Sequence, residues 1–276
     1  MKVPSPYGRY RKPGVQVALI FMVIAFTTTF GLTENITAVE KPFPFHPGEK
    51  LTFQVRWSFI PAGEAVLEIL PVETLHGAKS YHFVMIAQTY PFIDIFYKVR
   101  DRVDAYTDID MTHSLLYKKL KKGKTKRNVV VNFDWEKQQA QYSNFGKKRN
   151  PISILAGSFD PLSVFYAFRL HDREQNPEIK APVTDGKKCV MGKARILQRE
   201  EIKVASGTYD TYLVEPDLQH IGGVFEKSKD AKLKIWVTAD RRRIPVKVKS
   251  EVIVGSFVAE LISAEGIVPH GSILKR

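Results

Sequence analysis

Residues 51–57, Leu-Thr-Phe-Gln-Val-Arg-Trp, decide the fold class, because apolar and polar side chains alternate along them without a break. Successive side chains of a strand point to opposite faces, so this alternation predicts an antiparallel strand with one face in the core. The same period recurs along the chain and is typical of a β meander. It is found at residues 97–106, 129–135, 233–237 and 244–248.

Shorter apolar segments complete the predicted sheet. They are residues 64–70, 81–89, 139–143 and 257–261. Pro61–Gly63 predicts the turn between the first two strands. Pro245 has no amide hydrogen, so its strand is expected to start there or to lie at an edge of the sheet.

One segment, residues 160–170, predicts a helix. Asp160 suits the N-cap, and Pro161 suits the first helical position. Apolar side chains surround this helix almost completely, so other elements must cover it on several sides. We therefore expect a mainly β protein in which a strongly curved antiparallel sheet, half-barrel or barrel-like, wraps around one central helix.

Residues 1–38 resemble an export signal or an N-terminal anchor. A basic segment, Lys2–Lys12, precedes the apolar run 15–26, which is shorter than the about 20 residues that span a bilayer. No Ala-x-Ala cleavage site follows, so a cleaved signal and an uncleaved inner-membrane anchor both stay open. Either way we expect a periplasmic location, with residues 39–276 as a single β-rich domain.

The formal net charge is +13, and residues 1–38 account for only three of these charges. The basic residues of the later chain form clusters in predicted turns. The first holds Lys118, Lys119, Lys121, Lys122, Lys124, Lys126 and Arg127, and two others hold Lys147, Lys148 and Arg149, and Arg241, Arg242 and Arg243. They are expected either to be solvated loops or to contact anionic lipid headgroups. Nucleic acid is not expected, because few aromatic residues are interleaved with these charges.

The chain shows no motif for metal or cofactor chemistry. The seven histidines lack the spacing of zinc ligands, and no phosphate-binding Gly-rich loop or nucleophile elbow occurs. We therefore expect no catalytic residues, no metal and no cofactor. The lone cysteine, Cys189, excludes an internal disulfide and is expected to be a small core residue of a strand.

Asp101 is an unusual position in the predicted strand 97–106. Period-two counting places its carboxylate on the same face as Tyr97, Val99 and Val103. A buried charge needs a partner, so Asp101 forms an ion pair with an arginine across the sheet or anchors a ligand in a cavity. A register slip at this position would place it on the other face.

Several landmarks resemble a known family by their order along the chain. They are Phe45–Phe53, Ala62–Ala65, Tyr97–Arg102, Asp160–Ser163 with Tyr166 and Arg169, Trp236–Asp240, Ile244–Val246, Gly255–Ser256 and Glu260–Leu261. This order resembles the domain of unknown function 3108 family of exported bacterial proteins, over residues 43 to 265. The resemblance implies a periplasmic β-rich domain and no established activity.

These features favour a non-enzymatic periplasmic binding module for a lipid or another apolar ligand in envelope maintenance. Its interior is expected to be lined by Phe53, Val55, Trp57, Tyr97, Val99, Asp101 and Phe165. One alternative is an interaction protein with a packed core, which docks an acidic partner through exposed edges such as the Pro245 strand. A less favoured alternative is an envelope hydrolase that uses carboxylates from among Glu49, Glu64, Asp101 and Asp134.

Overall fold

The structure, a computed structural model, describes residues 43–171, 178–217, 232–252 and 255–267. The predicted signal or anchor, residues 1–38, lies outside the described residues. Within those ranges, no helix has the length and apolar character needed to cross a bilayer.

The described residues form one antiparallel sheet and two short helices. The first strands are β1 (Lys50–Trp57), β2 (Ile60–Leu75), β3 (Ala78–Thr89), β4 (Arg100–Asp108), β5 (Ser114–Lys122), β6 (Lys126–Asp134), β7 (Gln139–Asn144), β8 (Lys147–Lys148) and β9 (Ile152–Ser153). The later strands are β10 (Glu178–Thr184), β11 (Cys189–Val204), β12 (Gly207–Pro216), β13 (Lys232–Thr238), β14 (Pro245–Val252) and β15 (Gly255–Glu265). The helices are α1 (Pro91–Asp94) and α2 (Ser163–Leu170).

The strand order is that of a meander in which the last strand pairs with the first. The sheet runs from β10 through β15 to β1 and on to β8, and β9 pairs with β7. The β15–β1 pairing joins the two halves of the chain, with Lys50 opposite Glu265 and Trp57 opposite Phe257. The sheet is not closed, because β10 and β8 end the path. The expectation of a mainly β protein with one large antiparallel sheet is confirmed.

The first turn lies earlier than the sequence predicted. Pro61–Gly63 belongs to β2, and the chain turns at Ser58 and Phe59 instead, with Ser58 in the left-handed region at φ 54°. Gly63 serves a different need, because a Cβ there would lie 2.1 Å from the Gln88 carbonyl oxygen of β3. This glycine therefore permits close strand approach and does not form a turn.

Two other strand predictions need correction. The segment 97–106 enters the sheet only at Arg100, since α1 and an irregular stretch occupy residues 91–99. Pro245 does start β14, but it is not at an edge, because β13 and β15 pair with β14 on its two sides. A register shift beside Val237 accommodates the missing amide.

Helix α2 packs on the face of the sheet that we call the core face. The Tyr166 ring stacks on Phe83 of β3 at a centroid distance of 4.0 Å, in a cluster with Val103, Ala105 and Val131. On the side of the later strands, Phe168 packs against a cluster that contains Ile179, Ala194, Val214 and Val237. Only Ser163, Tyr166 and Arg169 of the helix are fully buried, and its other apolar side chains are half-buried.

The predicted cap of this helix is confirmed. One Asp160 carboxylate oxygen accepts hydrogen bonds from the Leu162 and Ser163 amides at 2.8 and 2.9 Å. The other oxygen accepts one from the Ser114 hydroxyl at 2.6 Å, which ties the helix to β5. Burial raises the pKa of Asp160 above its ordinary value, and these three hydrogen bonds oppose that shift.

The other end of α2 is held by a buried ion pair. The Arg169 guanidinium donates to both carboxylate oxygens of Glu49, at 2.5 and 2.9 Å, and to the Arg242 carbonyl at 2.9 Å. Glu49 directly precedes β1, and Arg242 lies in the β13–β14 turn. One side chain thus fastens the helix to two distant parts of the sheet.

Candidate functional site

An open groove lies across β3, β4 and β5, near the end of each strand that faces the β5–β6 turn. Its volume is about 200 Å³, and its lining includes Ile86, Gln88, Arg100, Arg102, Leu120 and Lys122. Val103 and Ala105 point to the core face, so by alternation these six side chains belong to the opposite, outer face. We call this feature the β3–β5 groove.

The groove combines an apolar floor with cationic walls. Ile86 and Leu120 form the floor, and the walls carry Arg100, Arg102 and Lys122. Within the described residues no salt bridge involves Lys122, so the groove keeps an uncompensated positive charge. This combination suits a molecule with an apolar chain and an anionic group.

The two arginines are held in place by carboxylates. Arg100 donates to both oxygens of Asp94, at 3.1 and 2.6 Å, and the Thr89 hydroxyl also donates to Asp94. The pKa of Asp94 is lowered first by the Thr89 hydrogen bond and then by Arg100. Because Asp94 ends α1, this network connects the exposed helix to the groove wall.

Arg102 is oriented in a similar way on the outer face. It forms a bidentate contact with Asp104, which also lies 3.0 Å from the His82 ring nitrogen Nε2. Burial alone would raise the pKa of Asp104, but the hydrogen bonds with Arg102 and His82 bring it below the ordinary value. The Asp104 carboxylate therefore stays ionised beside the groove at neutral pH.

The structure brings Asp101 a cationic partner, but not the arginine that the sequence suggested. Its carboxylate lies 2.8 Å from the Lys121 ammonium of β5, directly opposite in register. Asp101 also contributes to the lining of the β3–β5 groove. Because its side chain points to the core face, it closes the back of the groove instead of facing a bound ligand.

The other predicted ligand-binding residues do not come together. Phe53 is buried in a separate cluster with Leu51, Ile244, Val246 and Leu261, and Phe165 packs half-buried beside Tyr166. Val55 and Val99 are half-buried. The predicted interior position is wrong for Trp57 and Tyr97, which are 44% and 50% exposed because both lie where a strand ends or has not yet begun.

The first basic cluster is a β-hairpin, as its pattern indicated, but its charges divide between two faces. Lys118, Lys122, Lys124, Lys126 and Arg127 are exposed. Lys119 and Lys121 point to the core face with Tyr117, since they alternate with the exposed lysines along β5. Burial, and then the charge of Lys121, lower the pKa of Lys119. The exposed residues Lys122–Arg127 are called the lysine tip below.

The third basic cluster is not a neighbour of the lysine tip. Arg241–Arg243 lies in the turn that precedes β14, at the opposite end of the strands from the β5–β6 turn. Arg242 forms a bidentate pair with Asp240, and Arg243 donates to the Arg169 carbonyl at 2.6 Å. Its contribution to an anionic-surface site remains a sequence prediction.

The four carboxylates considered for hydrolysis have different surroundings. Glu49 is paired with Arg169, Asp101 with Lys121, and Asp134 with Lys137. Glu64 lies on β2, opposite Gln54 and Gln88. In the described ranges no three His, Cys, Asp or Glu side chains are grouped so that they could hold a metal ion.

Sequence reasoning missed the groove and the exposed side chains beside it. Period-two alternation does place Arg100 and Arg102 together, but which strands lie beside them depends on pairing that the sequence alone does not give. A usable signal was present in residues 91–97, Pro-Phe-Ile-Asp-Ile-Phe-Tyr, which are apolar although they connect two predicted strands. Apolar side chains in a connection are exposed unless another element covers them.

Comparison with known families gives one extensive match. The family described as "Protein of unknown function (DUF3108)" matches residues 52–262. This range contains β1 through most of β15, with the groove and the lysine tip. No curated protein matches the chain.

Solved structures share the fold at low sequence identity. A crystal structure described as a beta-barrel-like protein of domain of unknown function DUF1849, from Brucella abortus, is 9% identical, with a TM-score of 0.52 over 80% of this chain and 98% of that chain. A protein described as a lipoprotein, from Parabacteroides distasonis, is 12% identical with a TM-score of 0.32 over 80% and 97%. A protein described as exported, from Bacteroides fragilis, is 8% identical with a TM-score of 0.30 over 80% and 97%. The Brucella likeness supports a barrel-like fold and carries no activity.

Proposed function

The chain belongs to the DUF3108 family, and from this premise we propose that it is a non-enzymatic binding module of the bacterial envelope. Its ligand is an amphiphile, with an apolar chain and an anionic group, which occupies the β3–β5 groove. The observation that carries the proposal is the apolar floor of Ile86 and Leu120 between the cations Arg100, Arg102 and Lys122. An exported location is supported by the basic and apolar pattern of residues 1–38.

The size of the groove limits how much ligand it covers. Pockets that enclose a small-molecule ligand measure about 300–1,000 Å³, and the groove is about 200 Å³ and open. It therefore covers the anionic group and the first part of a chain, and the rest of the chain lies along the outer face. Apolar contact supplies affinity, and the cations select for the anion.

Helix α2 supports this function as part of the scaffold. We propose that the curved sheet wraps around it, since Tyr166 packs on β3 and Phe168 packs on the cluster of the later strands. Such a core leaves the outer face to the ligand. This departs from the expected interior site, because the buried face of α2 is occupied by stacked rings.

A binding role is preferred over hydrolysis because of the carboxylates. Glu49, Asp101 and Asp134 are each held in an ion pair with a different cation, so they lack the mutual contact that acid and base catalysis requires. An interaction protein remains the second candidate, but Pro245 cannot offer an edge to a partner, because β14 is paired on both sides.

Calorimetric titration with a single-chain lipid tests the proposal. Lysophosphatidylglycerol, kept below its micelle concentration, is expected to bind, and the zwitterionic lysophosphatidylcholine to bind more weakly. Leu120→Ser removes an apolar side chain from the floor and should weaken binding about tenfold, which corresponds to about 1.4 kcal/mol. Val130→Ser, on the same face of the neighbouring β6, is the matched control and should bind as the wild type does.

Circular dichroism melting of both variants separates a lost site from a lost fold. Equal affinity of the wild type and Leu120→Ser for lysophosphatidylglycerol would refute the groove as the site. An absence of binding by the folded wild type would refute the proposed ligand class.

A further inference from the structure

A set of large apolar side chains protrudes into solvent from two connections of the sheet. Phe59 in the β1–β2 turn is 86% exposed, and Ile95 and Phe96 after α1 are 80% and 77% exposed. Trp57, Phe92 and Tyr97 beside them are about half-exposed. We call these six residues the aromatic rim. A soluble monomer seldom exposes such a group without a binding role.

Backbone hydrogen bonds make the rim continuous. The Tyr90 amide donates to the Ala62 carbonyl at 3.0 Å, which joins the start of α1 to the start of β2. The turn between β1 and β2 is in turn held to β15 by the bond from the Ser58 amide to the Ser256 carbonyl, at 2.8 Å. Both connections therefore lie at the same end of the strands, side by side.

The lysine tip lies next in the same row. The Lys124 amide donates to the Lys98 carbonyl at 2.9 Å, and the Lys124 ammonium lies 5.3 Å from the centre of the Tyr97 ring. Gly123 permits this approach, because a Cβ there would lie 2.0 Å from the Lys98 carbonyl oxygen. No acidic residue occurs between Asp110 and Asp134, so the positive charge of the tip is not balanced within its own hairpin.

Further basic and aromatic side chains extend the row beyond the tip. The Phe145 amide donates to the Asn128 carbonyl at 2.9 Å, which places the β7–β8 turn beside the start of β6. Phe145, Lys147 and Lys148 are all exposed there. One end of the sheet therefore presents aromatic and aliphatic side chains directly beside a group of cations.

We infer that this end of the sheet is a membrane-docking surface, whose aromatic rim enters the interfacial region of a bilayer and whose lysine tip contacts anionic headgroups. Aromatic side chains bury favourably at the boundary between headgroups and acyl chains, and nearby cations are attracted to an anionic leaflet. The inference stands on the exposed rim and does not depend on the β3–β5 groove.

A bilayer fits these observations better than an acidic protein does. The three most exposed side chains project from turns and an irregular connection, where each is free to insert separately. A protein interface would instead bury such residues in a packed and fairly flat patch with complementary pockets. The adjacent cations complement the negative surface of a phosphatidylglycerol membrane.

Vesicle co-sedimentation tests the inference with the protein purified after export. The wild type should bind vesicles of phosphatidylglycerol and phosphatidylcholine, and should bind pure phosphatidylcholine far less. The triple variant Phe59→Ser, Ile95→Ser, Phe96→Ser should lower the partition coefficient at least tenfold. Lys124→Glu, Lys126→Glu, Arg127→Glu should lower it roughly 100-fold at low salt, because each headgroup contact is worth about fivefold.

Matched controls use equally exposed residues elsewhere in the sheet and its connections. Leu155→Ser, Met191→Ser, Leu197→Ser removes the same kind of side chain, and Lys188→Glu, Lys193→Glu, Lys203→Glu makes the same change in charge. Both control proteins should bind vesicles as the wild type does. An acidic protein as the true partner would appear as a folded wild type that ignores anionic vesicles, and this overturns the inference.

Two other results would also overturn it. Equal binding by the aromatic variant and the wild type would mean that only charge holds the protein at the vesicle. Equal losses in the variants and their controls would mean that the effect is not confined to this end. Titration of the aromatic variant with lysophosphatidylglycerol reports separately on the groove, whose lining that variant leaves intact.

Discussion

The residue with the widest reach in this structure is Arg169. It lies on α2 with only 2% of its side chain exposed, and its partner Glu49 is 1% exposed. Removing two charges from water is costly, so such a pair persists only when both groups keep all their contacts. It also connects residues that are far apart along the chain, so it helps to specify how the helix sits on the sheet.

Glu49→Gln should therefore destabilise the protein strongly. The substitution leaves a buried guanidinium without its counter-charge, and breaking such a pair costs about 3–5 kcal/mol. Urea unfolding measures the loss. Arg169→Met combined with Glu49→Leu should cost much less, because no buried charge then remains.

The comparison variant is Arg199→Ala, which breaks the exposed pair with Asp210 on neighbouring strands. Solvent screens that pair, so its loss should leave the urea midpoint where it is. A Glu49→Gln protein that unfolds at the wild-type midpoint would show that the buried pair does not hold the helix.

At the scale of elements, the sequence predicts strands well and their limits poorly. The alternation of residues 51–57 is sufficient to predict β1, because one face of that strand is buried. Pro61–Gly63 was mistaken for a turn since local propensity does not reveal that β3 passes close to Gly63. The β3–β5 groove was missed for the same reason: its lining comes from three strands whose pairing is a tertiary property.

Acid should weaken the pairing of β3 with β4. The pKa of Asp104 in the folded protein is below its ordinary value, so its stabilising contribution is present above the ordinary carboxyl pKa, about 4. That contribution is lost as the pH falls through the lowered value. The free energy of unfolding should therefore fall between about pH 4 and pH 2.

Asp104→Asn removes the titrating group and keeps the shape of the side chain. Its unfolding free energy, measured by urea denaturation across the same range, should depend less on pH than that of the wild type. Parallel pH profiles for the two proteins would show that Asp104 does not contribute to acid sensitivity.

At the scale of the whole described chain, function follows from which side chains share one end of the sheet. Meander topology places the β1–β2 turn, the α1 connection and the β5–β6 turn in a row, although they are widely separated in sequence. Composition revealed the positive charge and the exported pattern, but only the strand order shows that the lysine tip adjoins exposed aromatic residues. The Arg241–Arg243 cluster has a similar sequence appearance and lies at the other end.

The measurement that tests this account most directly is the quenching of Trp57 fluorescence by brominated phosphatidylglycerol. Trp57 belongs to the aromatic rim, whereas Trp135 and Trp236 lie near the opposite ends of their strands. Bromines near the top of the acyl chain should quench the wild type more strongly than bromines near its end, and Trp57→Phe should abolish most of that quenching. Vesicle-bound protein whose emission is equally quenched with and without Trp57 would contradict the proposed orientation.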